Sequence, residues 1–214
     1  MDIFNVIFEN ETFRKAFKYI FNNNSSNNAA YHNLTHMVMV SKWCWIIYHK
    51  DIINHKDELK GGQYTNLILA ALFHDMNHSM GSLKDDQNVK NAIKSMESWL
   101  DQEKGLSTDV DKNVITEIIK ATEYPYVIDK DKLSYSQKII RDADLLVSNE
   151  SNWMDSILFG LQSEMKVDNI DDLIEGNIKF HESIEMLTDF GKKVQKEGWL
   201  PLERLKSLKS ILDN

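Results

Sequence analysis

The sequence predicts an all-α fold, a helical bundle in a single domain over residues 1–214. Only two prolines, Pro125 and Pro201, and eight glycines interrupt the chain, which favours long helices over a turn-rich sheet. Apolar residues recur at three- and four-residue steps through most of it, with no strand-like alternation beyond a few residues and no internal repeat. With 42% hydrophobic and 27% charged residues, the composition is that of a globular protein. The length suffices for a sizeable core.

The elements follow in order. Phe4, Ile7, Phe8, Phe13, Phe17 and Ile20 share one broad face of a helix over 2–21. "NNNSSNN" (22–28) then favours loop, because Asn and Ser compete for backbone hydrogen bonds, and reads as a solvated connector. His32, His36, Met39, Val40, Trp43 and Ile47 mark a helix over 31–50. The apolar run Leu67–Leu72 predicts a buried helix over about 65–76. Asp85 or Asp86 would cap an amphipathic helix reaching about 102. Thr108 or Asp109 would cap another, which Pro125 ends. Ser134 or Ser136 opens "QKIIRDADLLVSN", and two or three further helices occupy 153–212, the last starting near Pro201.

Bulk chemistry narrows the function. A net charge of −8 argues against nucleic-acid polymers, which require a basic surface. It leaves anionic small molecules open, because bound divalent cations invert a local field. Cys44 is the only cysteine, so neither an intramolecular disulfide nor a thiolate zinc cluster can form. The N-terminus lacks the basic start and apolar run of a signal peptide. "NLILAALF" is too short to cross a bilayer. A soluble, cytoplasmic protein with no membrane partner is expected.

Several polar residues fall inside these apolar helices. His32 and His36 are four apart, as are His74 and His78; Asp75 adjoins His74, and Asp144 sits in "IIRDADLL". On a helix, i and i+4 share a face, so each His pair can point into one cavity. Imidazoles and carboxylates together suit zinc, iron or manganese and, with more oxygen, magnesium, and so suit metal-assisted hydrolysis. Asp142 is an alternative to Asp144. Residues two apart on a helix diverge, so the two would not serve one metal.

The set His36 … His74–Asp75 … Asp144 resembles the H…HD…D signature of the HD superfamily of metal-dependent phosphohydrolases. More narrowly, "YHNLTH", "LAALFHDMNH" and "DADL" look like the HNxxH, HDxxH and ADL motifs of class I cyclic-nucleotide phosphodiesterases. The resemblance spans a motif core of 31–148, and "IIKATEYP" is loosely similar to the stretch between the HD pair and the last Asp. It implies an all-α fold and two divalent metal ions: zinc, manganese, magnesium or iron. His36, His74, Asp75 and Asp144 would hold the first, and Asp75 would bridge to a second held mostly by water. A hydroxide shared between them would attack phosphorus. His32 would protonate the departing oxygen as general acid, and His78 would orient Asp75 or the hydroxide from the second shell. Asn33 would fix the loop or helix start.

The implied reaction is hydrolysis of a nucleotide phosphoester, foremost a 3′,5′-cyclic nucleotide to its 5′-monophosphate. Departures from that class are visible: the chain is much shorter, and so is the spacing from His74 to Asp144. Gln195, with Trp199 close by, would be the base-selecting pair, although Gly198 stands where the motif has Phe. Alternatives are an HD-type nucleotidase or nucleoside-triphosphate hydrolase, a di-iron oxygenase, or an inactive nucleotide-binding module. The oxygenase generally needs more histidines, and none lies between His78 and Asp144. His49, His55 and His181 read as surface or satisfied histidines, and Met39, Trp43 and Trp45 as core. Glu164, Asp171 and Asp172 read as a solvated helix face. Lys84 or Arg141 could meet a phosphate.

Overall fold

The computed structural model describes residues 3–197 and 200–213, and every regular element among them is helical. The N-terminal segment forms two helices, α1 (Ile3–Glu9) and α2 (Glu11–Asn23), where the apolar spacing predicts one. Asn10 causes the break. Its side chain accepts from Thr12 N at 2.9 Å and Phe13 N at 3.2 Å, capping α2 and ending α1.

The centre is built from α3 (Leu34–Asp51), α4 (Gln63–Phe73) and α7 (Tyr135–Leu146), with α3 packed along both of the others. Every residue of α4 from Leu67 to Phe73 is fully buried, so this helix is a core strut apolar on all sides. Phe73 at its end meets Trp99 at 5.2 Å and Tyr19 at 6.3 Å between ring centroids. The helices α5 (Asp85–Gln102) and α6 (Lys112–Lys120) pack beside α4.

Local capping differs from the sequence reading in detail. Asp85 and Asp86 lie in the first turn of α5, where their charge favours the helix dipole, and Lys84 occupies the cap position. Asp111, rather than Thr108 or Asp109, caps α6 by accepting from Asn113 N and Val114 N. That helix ends at Lys120, ahead of Pro125. Ser134 opens α7 with a reciprocal capping box to Gln137.

The last third is a layer over one end of the central helices. A π-helix (Met154–Gly160) runs into α8 (Leu161–Met165), followed by α9 (Ile170–Ser183), α10 (Asp189–Glu197) and α11 (Leu200–Leu212). α9 packs on α11 and α10 on α3. Pro201 falls in the first turn of α11, where a missing N–H costs nothing. No helix among the described residues is long and apolar enough to cross a membrane.

The Asn-rich segment is a solvated connector only in part: Asn22, Asn23, Ser25 and Asn28 are exposed. Asn24 and Ser26 are buried, and Asn24 Oδ1 accepts from Asn77 N at 2.8 Å, while Asn77 Oδ1 accepts from Ser25 N at 2.7 Å. This stretch clamps the turn that follows α4. Deleting the aromatic ring at the end of α4 tests how tightly that turn is held. Phe73→Ala should lose about 3–5 kcal/mol in denaturant unfolding; a loss below about 1 kcal/mol would mean that the site collapses without strain.

Candidate metal centre

The expected helix over 65–76 stops at Phe73, leaving His74 at the C-cap. From there the chain turns tightly: Met76 N donates to Phe73 O at 2.9 Å and His78 N to Asp75 O at 3.1 Å. Asn77 takes a left-handed conformation, φ 63°, which Asn tolerates better than most residues. His74 and His78 therefore do not share a helix face. Nor do His32 and His36, because α3 begins at Leu34 and His32 precedes it. Asn33 caps α3, accepting from His36 N at 3.1 Å, and donates to Ala29 O at 2.9 Å.

Three elements nonetheless bring the expected ligands together: His36, His74 and Asp75 form one close group, and Asp144 joins it through His36. His36 Nε2 lies 3.1 Å from both Asp75 Oδ2 and Asp144 Oδ1. His74 Nε2 is 3.2 Å from Asp75 Oδ2, 3.3 Å from His36 Nε2 and 4.0 Å from Asp144 Oδ1. His74 Nδ1 donates to Ala71 O at 2.8 Å, which turns the Nε2 lone pair towards the cluster. His36 Nδ1 is buried and has no hydrogen-bond partner among the described residues.

The electrostatics are those of a site built around positive charge. Burial alone would strip the proton from His36, but its bonds to Asp144 and Asp75 and their charges outweigh this and push its pKa up to about 10. Burial likewise opposes the charge on His74, yet Asp75 raises it. Burial would raise both carboxyls, but the imidazolium neighbours hold Asp144 below its usual value and Asp75 well below it.

The donor set fits a divalent cation. Two ligands bound at about 2.0–2.2 Å to one ion, at tetrahedral or octahedral angles, stand roughly 3–3.5 Å apart. Four of the five separations above fall in that range. Two nitrogens and two carboxylate oxygens suit zinc, iron or manganese. His36 and His74 form the buried floor, while Asp75 and Asp144 reach a cavity of about 550 Å³, so an ion there would keep open positions.

His32 stands outside this cluster on the same cavity. Its Nδ1 donates to Glu164 Oε2, and Glu164 Oε1 accepts from the backbone N–H groups of Tyr31 at 2.6 Å and His32 at 3.0 Å. Burial tends to raise Glu164, but the bonds from His32 and the backbone bring it below its usual value. Glu164 is thus buried and bonded, not part of a solvated face. Gly160 permits this: a Cβ there would stand 2.8 Å from Ala30 O, so only glycine lets the π-helix approach the His32 loop.

His78 stacks on His32, ring centroids 3.7 Å apart, and accepts from Met80 N at 3.1 Å; its Nε2 lies 2.8 Å from the Asn88 amide. Burial, then the neighbouring His32, lowers its pKa to about 4. It supports the His32 ring directly. His32, His78 and Glu164 also form a second group with metal-ligating atoms close together, but the protein's own hydrogen bonds already engage His78 and Glu164.

Other expected residues lie elsewhere. Asp142 points away from Asp144, accepting from Leu187 N, Thr188 N and the Thr188 hydroxyl. Gln195 does not line the cavity: its amide donates to Ile184 O at 2.7 Å and accepts from Met186 N at 3.2 Å, pinning the loop before α10. Its short spacing to that loop satisfies the amide locally. Trp199 lies outside the described residues. Arg141 is buried and donates to Ala121 O and Ile128 O, so it braces a loop and does not reach the cavity; Lys84 does not line it either. His49 is exposed, His55 pairs with Glu58 and Asp189, and His181 is buried in the cavity wall. Met39, Trp43 and Trp45 pack against the core.

Compared with known proteins, the chain matches no protein-family model and no curated protein.

At pH 7 a group held at about 10 carries its proton, so a cation entering the cluster must displace it. Affinity for Mn²⁺ or Zn²⁺ should therefore fall as pH falls. Calorimetry in two buffers of different ionisation enthalpy should show about one proton released per ion. Asp75→Asn should abolish this binding and the associated rise in Tm. Binding without proton release, or unchanged in the variant, would place the ion elsewhere.

Proposed function

We propose that this chain is a metal-dependent phosphohydrolase of the HD type, acting on a nucleotide phosphoester, with a 3′,5′-cyclic nucleotide opened to its 5′-monophosphate as the specific reaction. One juxtaposition carries the reading: a four-ligand His/Asp cluster and a carboxylate-backed histidine outside it face the same cavity. His36, His74, Asp75 and Asp144 would hold the first of two divalent cations, zinc, manganese, magnesium or iron, and Asp75 would be shared with the second. When bound, such ions lower the pKa of water towards about 7 and neutralise phosphoryl oxygens.

The chain's own residues supply the proton chemistry. With Nδ1 committed to Glu164, Nε2 of His32 makes no bond within the described chain. It is the atom from which a proton passes to the leaving ester oxygen. Glu164 fixes the ring's tautomer and balances the charge of the imidazolium, as a carboxylate behind a catalytic histidine does generally. His78, held neutral beneath the ring, fixes its plane without adding a competing charge. Asp75 and Asp144 reach the cavity, so cations they hold would stand where a phosphate could bind.

His32→Ala should slow cleavage of an alkyl phosphodiester by about 10²–10⁴, with Mn²⁺ affinity unchanged. An ester with a p-nitrophenolate leaving group, which needs little protonation, should be slowed far less. Glu164→Gln should act in the same direction with a smaller loss. Equal losses on both esters would remove His32 from the acid role.

A further inference from the structure

The cavity beside the cluster has an uneven chemistry. Its lining contains five carboxylates, Asp75, Asp85, Asp144, Glu164 and Asp172, and no lysine or arginine. Asp75 and Asp144 belong to the cation cluster, and Glu164 is matched by His32. Asp85 accepts from Tyr124 N at 2.6 Å and Asp172 stands exposed in the first turn of α9; no lysine or arginine lines the cavity to pair with either. Sites for phosphate chains or several phosphates commonly offset the added charge with Arg or Lys. Here positive charge in the lining could come only from histidines and from ions at one end, Arg141 standing behind the Tyr126 ring at 4.1 Å from its centroid.

Away from the cluster the wall is apolar and aromatic. Phe180 on α9 meets Tyr124 edge to face, ring centroids 5.7 Å apart, with Leu173, Val89 and Leu145 nearby in the lining. Asn177 donates its amide N–H to Leu173 O at 2.9 Å, which leaves its side-chain oxygen as an acceptor at the wall. The volume, about 550 Å³, lies in the range of small-molecule sites and far exceeds a phosphate ion.

Resting on the phosphohydrolase reading above, we propose that this site selects esters of a single phosphate joined to an uncharged, ring-bearing organic group, and discriminates against a second anionic group. Phe180 and Tyr124 are the specificity-determining residues for the organic group, and Asp172 and Asp85 repel the second anion. The base is read from α9, not from the segment around Gln195. Nucleoside triphosphates and bisphosphates are poor ligands, whereas nucleoside monophosphates fit.

The test is calorimetric titration of the full chain in Mn²⁺ with three probes: inorganic phosphate, adenosine 5′-monophosphate and adenosine 3′,5′-bisphosphate. The monophosphate should bind about tenfold more tightly than either of the others. Phe180→Ala, and independently Tyr124→Ala, should erase its advantage over phosphate while leaving phosphate binding unchanged. Asp172→Lys should narrow the gap between monophosphate and bisphosphate. Bisphosphate binding as tight as monophosphate, or monophosphate binding no better than phosphate, overturns the proposal. So does an equal loss for all three probes in both aromatic variants. Hydrolysis of bis(p-nitrophenyl) phosphate, measured on the same samples, separates the two readings. The predicted ranking without turnover would discard the hydrolase and keep the ligand class; turnover with the reverse ranking would do the opposite.

Discussion

Two carboxylates and two imidazoles gathered at the junction of three helices, with His36 Nε2 3.1 Å from each carboxylate and 3.3 Å from His74 Nε2, are the constraint on which the rest of this structure depends. Buried charge is costly unless compensated. The proton on His36 provides that compensation in the bare chain, and a divalent cation would provide it more completely. Everything around the cluster serves to hold it. α4 is apolar on every side and drives His74 into the interior, α3 supplies His36 from a capped first turn, and α7 supplies Asp144 while Asp142 anchors the opposite side to Thr188.

The C-terminal layer converts a charged cluster into a site with direction. The π-helix and α8 bring Glu164 across 132 residues of sequence to His32, and Gly160 allows the backbone approach that this requires. α9 then walls the far side of the cavity with Phe180 and Asn177. The cluster thus faces a volume that is polar at one end and aromatic at the other.

Much of this was legible in the sequence, and the exceptions have physical causes. The all-α fold followed from periodicity and scarce Pro and Gly. The cluster residues stood out because His74, Asp75 and Asp144 sit in runs too apolar for solvated groups. The convergence itself came about differently from the helical i, i+4 argument: a turn with Asn77 at positive φ places the HD pair, and His32 lies in the loop before α3. Glu164 could not be found locally, since "QSEMK" reads as a surface helix and its partner is remote. The only hint was that His32, expected to act as an acid, needs a carboxylate behind it. Gln195 was misplaced because position along the chain says nothing of which way a short helix packs; its amide closes a loop instead. The Asn-rich stretch reads as solvated by composition and is so in part, yet the buried Asn24 and its partner Asn77 serve as backbone substitutes where two turns meet.

The most direct measurement is the anomalous difference map of crystals soaked in Mn²⁺. The account predicts a peak about 2.0–2.3 Å from His36 Nε2, His74 Nε2, Asp75 and Asp144 together, with an open face towards the cavity. A map with the cluster empty and manganese bound only at surface carboxylates would contradict it.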